Sequence, residues 1–310
     1  MSKPPRGGAR TRVPPSLYPF ESRFHDLDGL RYHYLDEGEV REGGEPVVML
    51  HGNPTWSFYY RDLIGKLRDR HRVIAPDHIG CGFSDKPGDD RYEYSLRQRV
   101  DDVEALLDAL VPEERVTLVL HDWGGMIGMG WAVRHPERVG RIVLFNTAAF
   151  HLPRTKKLPT SLWWVRNTVV AAYLVRRFNA FSRGAAWACC TRARLTKEVR
   201  DAYCAPYDSW DNRIATLRFV QDIPLSPQDR SYATVSEVES KLGLFAETPV
   251  LICWGDRDFV FDHHFLAEWQ RHLPHAEVHR FPDCGHYILE DAKAEILPLV
   301  DRFLFASPDP

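Results

Sequence analysis

A mostly parallel β-sheet with helices on both faces, an α/β fold, is the class this sequence predicts, and three observations predict it. Short apolar runs, PVVML (46–50), RVIAPDH (72–78), RVTLVL (115–120), RIVLFNTAAF (141–150) and PVLICWG (249–255), have the length and composition of buried strands. Segments of helical periodicity alternate with them, which implies parallel strands joined by helices that cover both sides of the sheet. Between RIVLFNTAAF and PVLICWG, about a hundred residues carry helical periodicity and no strand run, so that stretch reads as an insertion.

In chain order, the opening MSKPPRGGARTRVPPS is rich in Pro, Gly and Arg and lacks an apolar run, so residues 1–17 are expected to be a disordered arm. RFHDLDGLRYHYLDEG (23–38) reads as a hairpin, SFYYRDLIGKLRD (57–69) as a helix, and Ser95–Leu110 as a long amphipathic helix with Ser95 as its N-cap. EVHRFPDCGHYILED (277–291) reads as a last strand running into a glycine-containing turn. The expected organisation is a core of 18–151 and 229–310 interrupted by a helical cap at 152–228, with 229–248 returning the chain to the core. No internal repeat is evident.

The chain's 310 residues suffice for one large core plus an inserted subdomain. A hydrophobic content of 44% and a charged content of 27% are ordinary for a globular protein, and a net charge of −3 argues against nucleic acid as a main partner. The six cysteines show no metal-ligand spacing, and neither a signal peptide nor a membrane span is visible. Reduced thiols in a cytoplasm are the simplest account, and no motif implies a cofactor or a metal. Cys284, two residues before His286, reads as a small buried side chain.

The chemistry gathers at strand ends. His121-Asp122-Trp123-Gly124-Gly125 follows one apolar run and precedes the helical MIGMGWAVRHP. That places Asp122 at the sharp strand-to-helix turn where a nucleophile elbow carries its attacking side chain. A carboxylate there needs no general base and can attack carbon to form an ester. PVLICWGDRD (249–258) ends in acids, and the last strand delivers His286. The order nucleophile, acid, histidine is that of an α/β-hydrolase. Asp122 would attack, His286 would activate water against the ester, and Asp258 would orient His286 and stabilise its charged form. Upstream, HGNPTW (51–56) follows a strand as an oxyanion-hole loop does, with the backbone N–H groups of Asn53 and Trp123 aimed at developing charge. The Asn53 amide and the Trp123 indole add two donors able to hold a leaving anion in a dry pocket. Taken singly, Asp122 could sit in a plain turn, Trp123 could be a packed core aromatic and Asn53 a turn residue; together with His286 they make a site.

HGNPTWSF, PDHIGCGFSDKP (76–87), HDWGG, WGDRDFVF (254–261) and GHYILED resemble the haloalkane dehalogenase family of α/β-hydrolases from about residue 18 onward. The resemblance implies an eight-stranded, mostly parallel sheet under a helical cap. FNTAAF (145–150), FNAFSRGAAW (178–187), APYDSWDNRIATLRFVQDIPL (205–225) and RDFVFDHHF (257–265) are similar to the branch that includes bacterial β-lactone decarboxylases of long-chain olefin biosynthesis. One departure is Leu120, where the family usually has glycine two residues before the nucleophile. Some members carry their acid just after the sixth strand, where this chain has Asn146, so the acid must come from the next strand. There Asp256 and Asp258 compete, and the family pattern favours Asp258, leaving Asp256 as a solvated turn residue.

Four functions remain open on the sequence. A β-lactone decarboxylase and a haloalkane dehalogenase would both use Asp122, His286, Asp258, Asn53 and Trp123. An epoxide hydrolase would also need cap tyrosines, for which Tyr173, Tyr203 and Tyr207 are available. A non-catalytic binding protein would be expected to lack a triad member, and none is missing. Apolar cap residues (Leu162, Trp163, Trp164, Val169, Val170, Tyr173, Leu174, Phe178, Phe181 and Trp187) could line a pocket for a hydrophobic small molecule as well as pack. The cap is also basic, a solvated face or a docking surface for a β-lactone synthetase and a reductase of the same pathway.

Overall fold

Alternation with a period of two runs through every central strand and sorts the core into two layers. In the computed structural model, which describes residues 13–40 and 44–305, the strands are β1 (Arg23–Leu27), β2 (Leu30–Glu37), β3 (Val47–Leu50), β4 (Val73–Pro76), β5 (Val116–Asp122), β6 (Val139–Thr147), β7 (Val250–Gly255) and β8 (Glu277–Phe281). They form an eight-stranded sheet in the order β1-β2-β4-β3-β5-β6-β7-β8. β2 pairs antiparallel with β1 and β4, and the remaining pairs are parallel.

The helices are α1 (Arg61–Leu67), α2 (Leu96–Leu110), α3 (Trp123–Ala132), α4 (Thr160–Asn167), α5 (Val169–Phe178), α6 (Ala180–Ala188), α7 (Lys197–Cys204), α8 (Ile214–Gln221), α9 (Tyr232–Lys241), α10 (His263–His272), α11 (Ile288–Asp291) and α12 (Lys293–Phe305). Val48, Leu118, Leu144 and Ile252 pack with α2, α3, α9 and α10 on one face. Val47, Val119, Val143 and Leu251 pack with α1 and α12 on the other. Each buried aliphatic side chain contributes about 1.5–3 kcal/mol over an exposed one, so this alternation fixes strand register. Ser95 caps α2 through its hydroxyl, which accepts the Gln98 N–H at 3.2 Å. The expected helix 57–69 begins as a 3₁₀ turn, Ser57–Tyr60, and becomes α1 only at Arg61.

Two expectations need correction. Residues 1–12 of the expected arm lie outside the described residues, but its end is packed: Val13 is buried in the same layer as Tyr18 and Phe20, and the Leu17 N–H bonds the Pro14 carbonyl. Val13 lies inside the Pro- and Gly-rich stretch, where composition hides a single anchoring side chain, so the packed chain extends back past residue 18 to Val13. The cap aromatics also divide differently. α4 to α8 lie between β6 and β7, and of the apolar residues expected to pack or to line a pocket, Trp163, Trp164, Val169, Val170, Tyr173, Leu174, Phe178 and Trp187 are exposed. All six cysteines are free thiols, and among the described residues no helix is long and apolar enough to cross a membrane.

Candidate active site

β3 and β5 are neighbours in the middle of the sheet, and their carboxyl ends carry His51-Gly52-Asn53 and Asp122. β4 lies beyond β3 on one side and β5 on the other, so strand order reverses there, the place where open α/β sheets form a crevice. Asp122 takes φ +51° and ψ −126°, a strained backbone that turns β5 directly into α3 and raises its side chain above the strand ends. Two glycines permit the turn. A Cβ on Gly124 would fall 1.9 Å from the Leu50 carbonyl oxygen, and one on Gly52 1.9 Å from Asp122 Oδ1. Thr147 donates its hydroxyl to the Asp122 carbonyl and braces the elbow from β6.

The Asn53 backbone N–H donates to Asp122 Oδ1 at 2.6 Å, and the Trp123 backbone N–H lies close enough to favour the charged carboxylate. The backbone donors expected to meet developing charge thus address Asp122 itself, where an oxyanion forms when an ester on this residue is hydrolysed. Asp122 Oδ2 stands 3.6 Å from His286 Nε2. Burial pushes the Asp122 carboxyl above the ordinary carboxylate range, against the His286 charge and the two backbone N–H groups.

His286 Nδ1 lies 2.7 Å from Asp258 Oδ2, and Asp258 Oδ1 accepts the N–H groups of Val260 at 2.7 Å and Phe261 at 3.1 Å. Burial would lower the His286 pKa, but charge and hydrogen bonding from Asp258, helped by Asp122, outweigh it and raise the imidazole above its usual value. Asp256 sits two residues away and pairs with Arg280 at 3.0 Å on the surface. Asn146 is buried between β6 and β7; its amide donates to the carbonyls of Gly255 and Phe261 and its oxygen accepts the Gly255 N–H. It ties down the loop that carries Asp258.

Several supporting groups had no sequence signal. His121 Nε2 lies 2.9 Å from the His286 carbonyl, and its ring stacks on Tyr59 at 4.2 Å. Burial holds His121 well below the usual histidine range, so the neutral ring donates through Nε2 and fixes the His286 backbone. His51 accepts the His78 N–H at 3.0 Å, and burial lowers its pKa too, which keeps it neutral beneath the Asn53 loop. Thr216 on α8 matters most. Its carbonyl accepts one Asn53 amide hydrogen at 3.1 Å. The Asn53 side chain is therefore not wholly free for an anion, as the sequence suggested; the cap orients it, and one amide hydrogen remains. Arg99 and Phe219 pack against the Trp123 ring, with Arg99 paired to Asp222 at 3.1 Å.

Asn53, Asp122, Trp123 and His286 line one cavity of about 400 Å³, whose remaining walls are chiefly apolar: Phe150, Leu162, Leu174, Phe181, Phe261 and Phe265 among them. That volume is in the range of small-molecule sites. Tyr203 donates to Glu290 and Tyr207 to the Thr55 carbonyl, Tyr173 is exposed, and no tyrosine is among the cavity's lining residues. The protonating pair that an epoxide hydrolase needs is absent from this cavity among the described residues.

Residues 45–293 match the model of the alpha/beta hydrolase fold family. The chain belongs to that family. It is 57% identical over 289 residues to a cis-3-alkyl-4-alkyloxetan-2-one decarboxylase of Shewanella oneidensis, covering 93% of this chain and 90% of that one. It is 49% identical over 285 residues to the protein of the same name from Xanthomonas campestris pv. campestris, covering 90% and 94%. The crystal structure of haloalkane dehalogenase DatA from Agrobacterium tumefaciens superposes with a TM-score of 0.80 at 27% identity, covering 92% of this chain and 96% of that one.

Proposed function

We propose that this protein is a β-lactone decarboxylase that converts cis-3,4-dialkyl-oxetan-2-ones to cis-alkenes and carbon dioxide in olefin biosynthesis. The observation that carries the reading is the 57% identity, over 93% of the chain, to a decarboxylase named for that substrate. A single buried carboxylate in an almost wholly apolar cavity supports it, because a dialkyl lactone offers alkyl surface and one polar ring.

Asp122 Oδ2 bonds to the ring carbon that bears the lactone oxygen, and the ring C–O bond breaks to leave a carboxylate on the adjacent carbon. The free Asn53 amide hydrogen and the Trp123 indole hold that carboxylate. The carbon–carboxylate bond then breaks, its electron pair forms the alkene, and the ester oxygen leaves as Asp122 carboxylate. Inversion followed by anti departure carries a cis lactone to a cis alkene. His286, held charged by Asp258, faces the carboxylate as it reappears. Residues 152–228 act as the cap that closes the apolar space. The enzyme works in the cytoplasm on a hydrophobic small molecule, without metal or cofactor, downstream of a reductase and a β-lactone synthetase.

The test is a paired assay: a cis-β-lactone bearing two long alkyl chains in one arm, 1-bromobutane and 1-iodobutane in the other, with alkene and halide quantified. Alkene from the lactone with little halide release is the expected result. Fast halide release without alkene would hand the site to haloalkane hydrolysis, whose Asp–His–Asp machinery is the same.

A further inference from the structure

The outer face of the cap is apolar where a solvated helix is ordinarily polar. On α5, Val169, Val170, Tyr173, Leu174 and Phe178 are 87, 65, 50, 43 and 52% exposed, while Ala171 and Val175 turn inward. A surface helix normally shows the opposite arrangement. α4 adds Trp163 and Trp164, both about half exposed. The rings are contiguous: Tyr173 lies 6.3 Å from Phe178 and 5.9 Å from Trp210. Contiguous exposed apolar surface of this kind marks an interaction site, whereas scattered single residues do not.

Charge says which kind of partner fits. Between Glu137 and Glu198 the chain has no Asp or Glu, although Arg and Lys recur throughout the cap. Arg177, inside the apolar stripe, and Arg183, on α6, are exposed, and among the described residues neither makes an ion pair with a carboxylate. The whole chain is net −3, whereas α4 to α6 carry Arg166, Arg176, Arg177 and Arg183 and no acid. The cavity opens here as well, because Leu174, Ala180 and Gly184 line it and are themselves exposed.

We propose that this face docks on the anionic surface of a lipid bilayer. The α5 stripe and the α4 tryptophans sit at the boundary of headgroups and acyl chains, Arg177 and Arg183 lie at phosphate level, and the cavity mouth faces the acyl layer. Tryptophan, tyrosine and aliphatic side chains flanked by cations, on helices α4 to α6 that carry no acid, are the composition of an interfacial helix, and Asp211 at the edge beside Trp210 is met by Arg176 at 3.9 Å. A protein-docking face of this size would be expected to present both signs of charge at its rim. The inference stands on the surface alone, whatever reaction the cavity performs, but an alkyl substrate dissolved in the same layer would enter without crossing water.

Vesicle flotation of the full-length protein without substrate tests it, using phosphatidylglycerol–phosphatidylcholine vesicles against pure phosphatidylcholine at low and high salt. Wild type should float with the anionic vesicles, less with neutral ones, and less at high salt. Val170→Ser/Tyr173→Ser/Phe178→Ser should lower the partition coefficient about tenfold or more, and Arg177→Gln/Arg183→Gln should lower it similarly on anionic vesicles only. Circular dichroism and Tm verify folding of both variants; should the triple variant fail to fold, the arginine pair decides alone. No flotation of wild type, or undiminished flotation of the folded variants, overturns the proposal. Self-association that the triple variant disperses, without vesicle binding, would assign the face to a second copy, and binding only in the presence of a second protein would assign it to that protein; either overturns it too.

Discussion

Replacing Asp258 by Asn should cost far more turnover than its single lost charge suggests, because the structure dictates how the amide must sit. Asp258 Oδ1 accepts the N–H groups of Val260 and Phe261 at 2.7 and 3.1 Å. An asparagine has to offer its carbonyl oxygen to those donors, which turns its NH₂ toward His286 Nδ1. Facing a donor, Nδ1 must accept, and the proton of the neutral imidazole moves to Nε2, the atom 3.6 Å from Asp122. His286 still turns an Nε2–H toward the reacting carboxylate but without its positive charge, because the charged form has lost the partner 2.7 Å away that raises its pKa. Replacing the acid of a histidine–acid pair by its amide costs up to about 10⁴-fold in kcat, or roughly 5.5 kcal/mol of transition-state stabilisation.

Asp256→Asn is the internal control. Its carboxylate pairs with Arg280 on the surface, and it should remain within about tenfold of wild type, roughly 1.4 kcal/mol. The assay is initial-rate alkene formation from a cis-dialkyl β-lactone by gas chromatography, with Tm measured for both variants. A native Tm with near-wild-type turnover for Asp258→Asn, or a larger defect in Asp256→Asn, refutes the reasoning.

Asp122→Asn should abolish turnover yet raise Tm at neutral pH: burial lifts this carboxyl's folded pKa above its unfolded value, so the charged form costs stability above the folded pKa, and the variant's advantage should shrink as the pH falls toward about 4. A lower Tm at pH 7 would contradict that sign. His286 has the reverse linkage, since its raised folded pKa gives stability that is complete below about pH 6.5 and is lost as the pH rises through the folded value. The Tm deficit of Asp258→Asn should accordingly be larger at pH 6 than at pH 9. Lactone turnover in H₂¹⁸O should leave Asp122 unlabelled, because its ester collapses by carbon–oxygen cleavage; label in the Asp122 peptide by mass spectrometry would show hydrolysis by His286-activated water instead. Lengthening the lactone's alkyl chains should raise kcat/KM by up to about fourfold per added CH₂ until the cavity is full. Gly184→Leu, at a lining position where an added Cβ meets nothing within 4 Å, should move the optimum to shorter chains.

What the sequence made legible is what one local pattern dictates. Asp122 and Asn53 stand at the ends of apolar strand runs, where a polar residue has no packing reason to be, His286 follows the last strand in a glycine-containing turn, and the glycines beside all three mark backbone approaches that no Cβ permits. Asp258 could be told from Asp256 only through family pattern, because two acids two residues apart in one turn have the same local signal; what separates them is the Val260 and Phe261 N–H groups that fold over one and the Arg280 that meets the other. Thr216 reaches Asn53 across 163 positions through a backbone carbonyl, a group every residue carries, so no residue type announces it. The cap posed a different difficulty. Helical periodicity says which residues share a face, but a face is assigned to the interior by contrast with a polar opposite. On α5, Val169, Val170, Tyr173, Leu174 and Phe178 oppose Ala171 and Val175, and both sides are apolar. With no contrast to read, the larger side chains look like the buried set. The structure turns them outward, and the feature that defeats periodicity is the one that makes the cap a surface for something other than water.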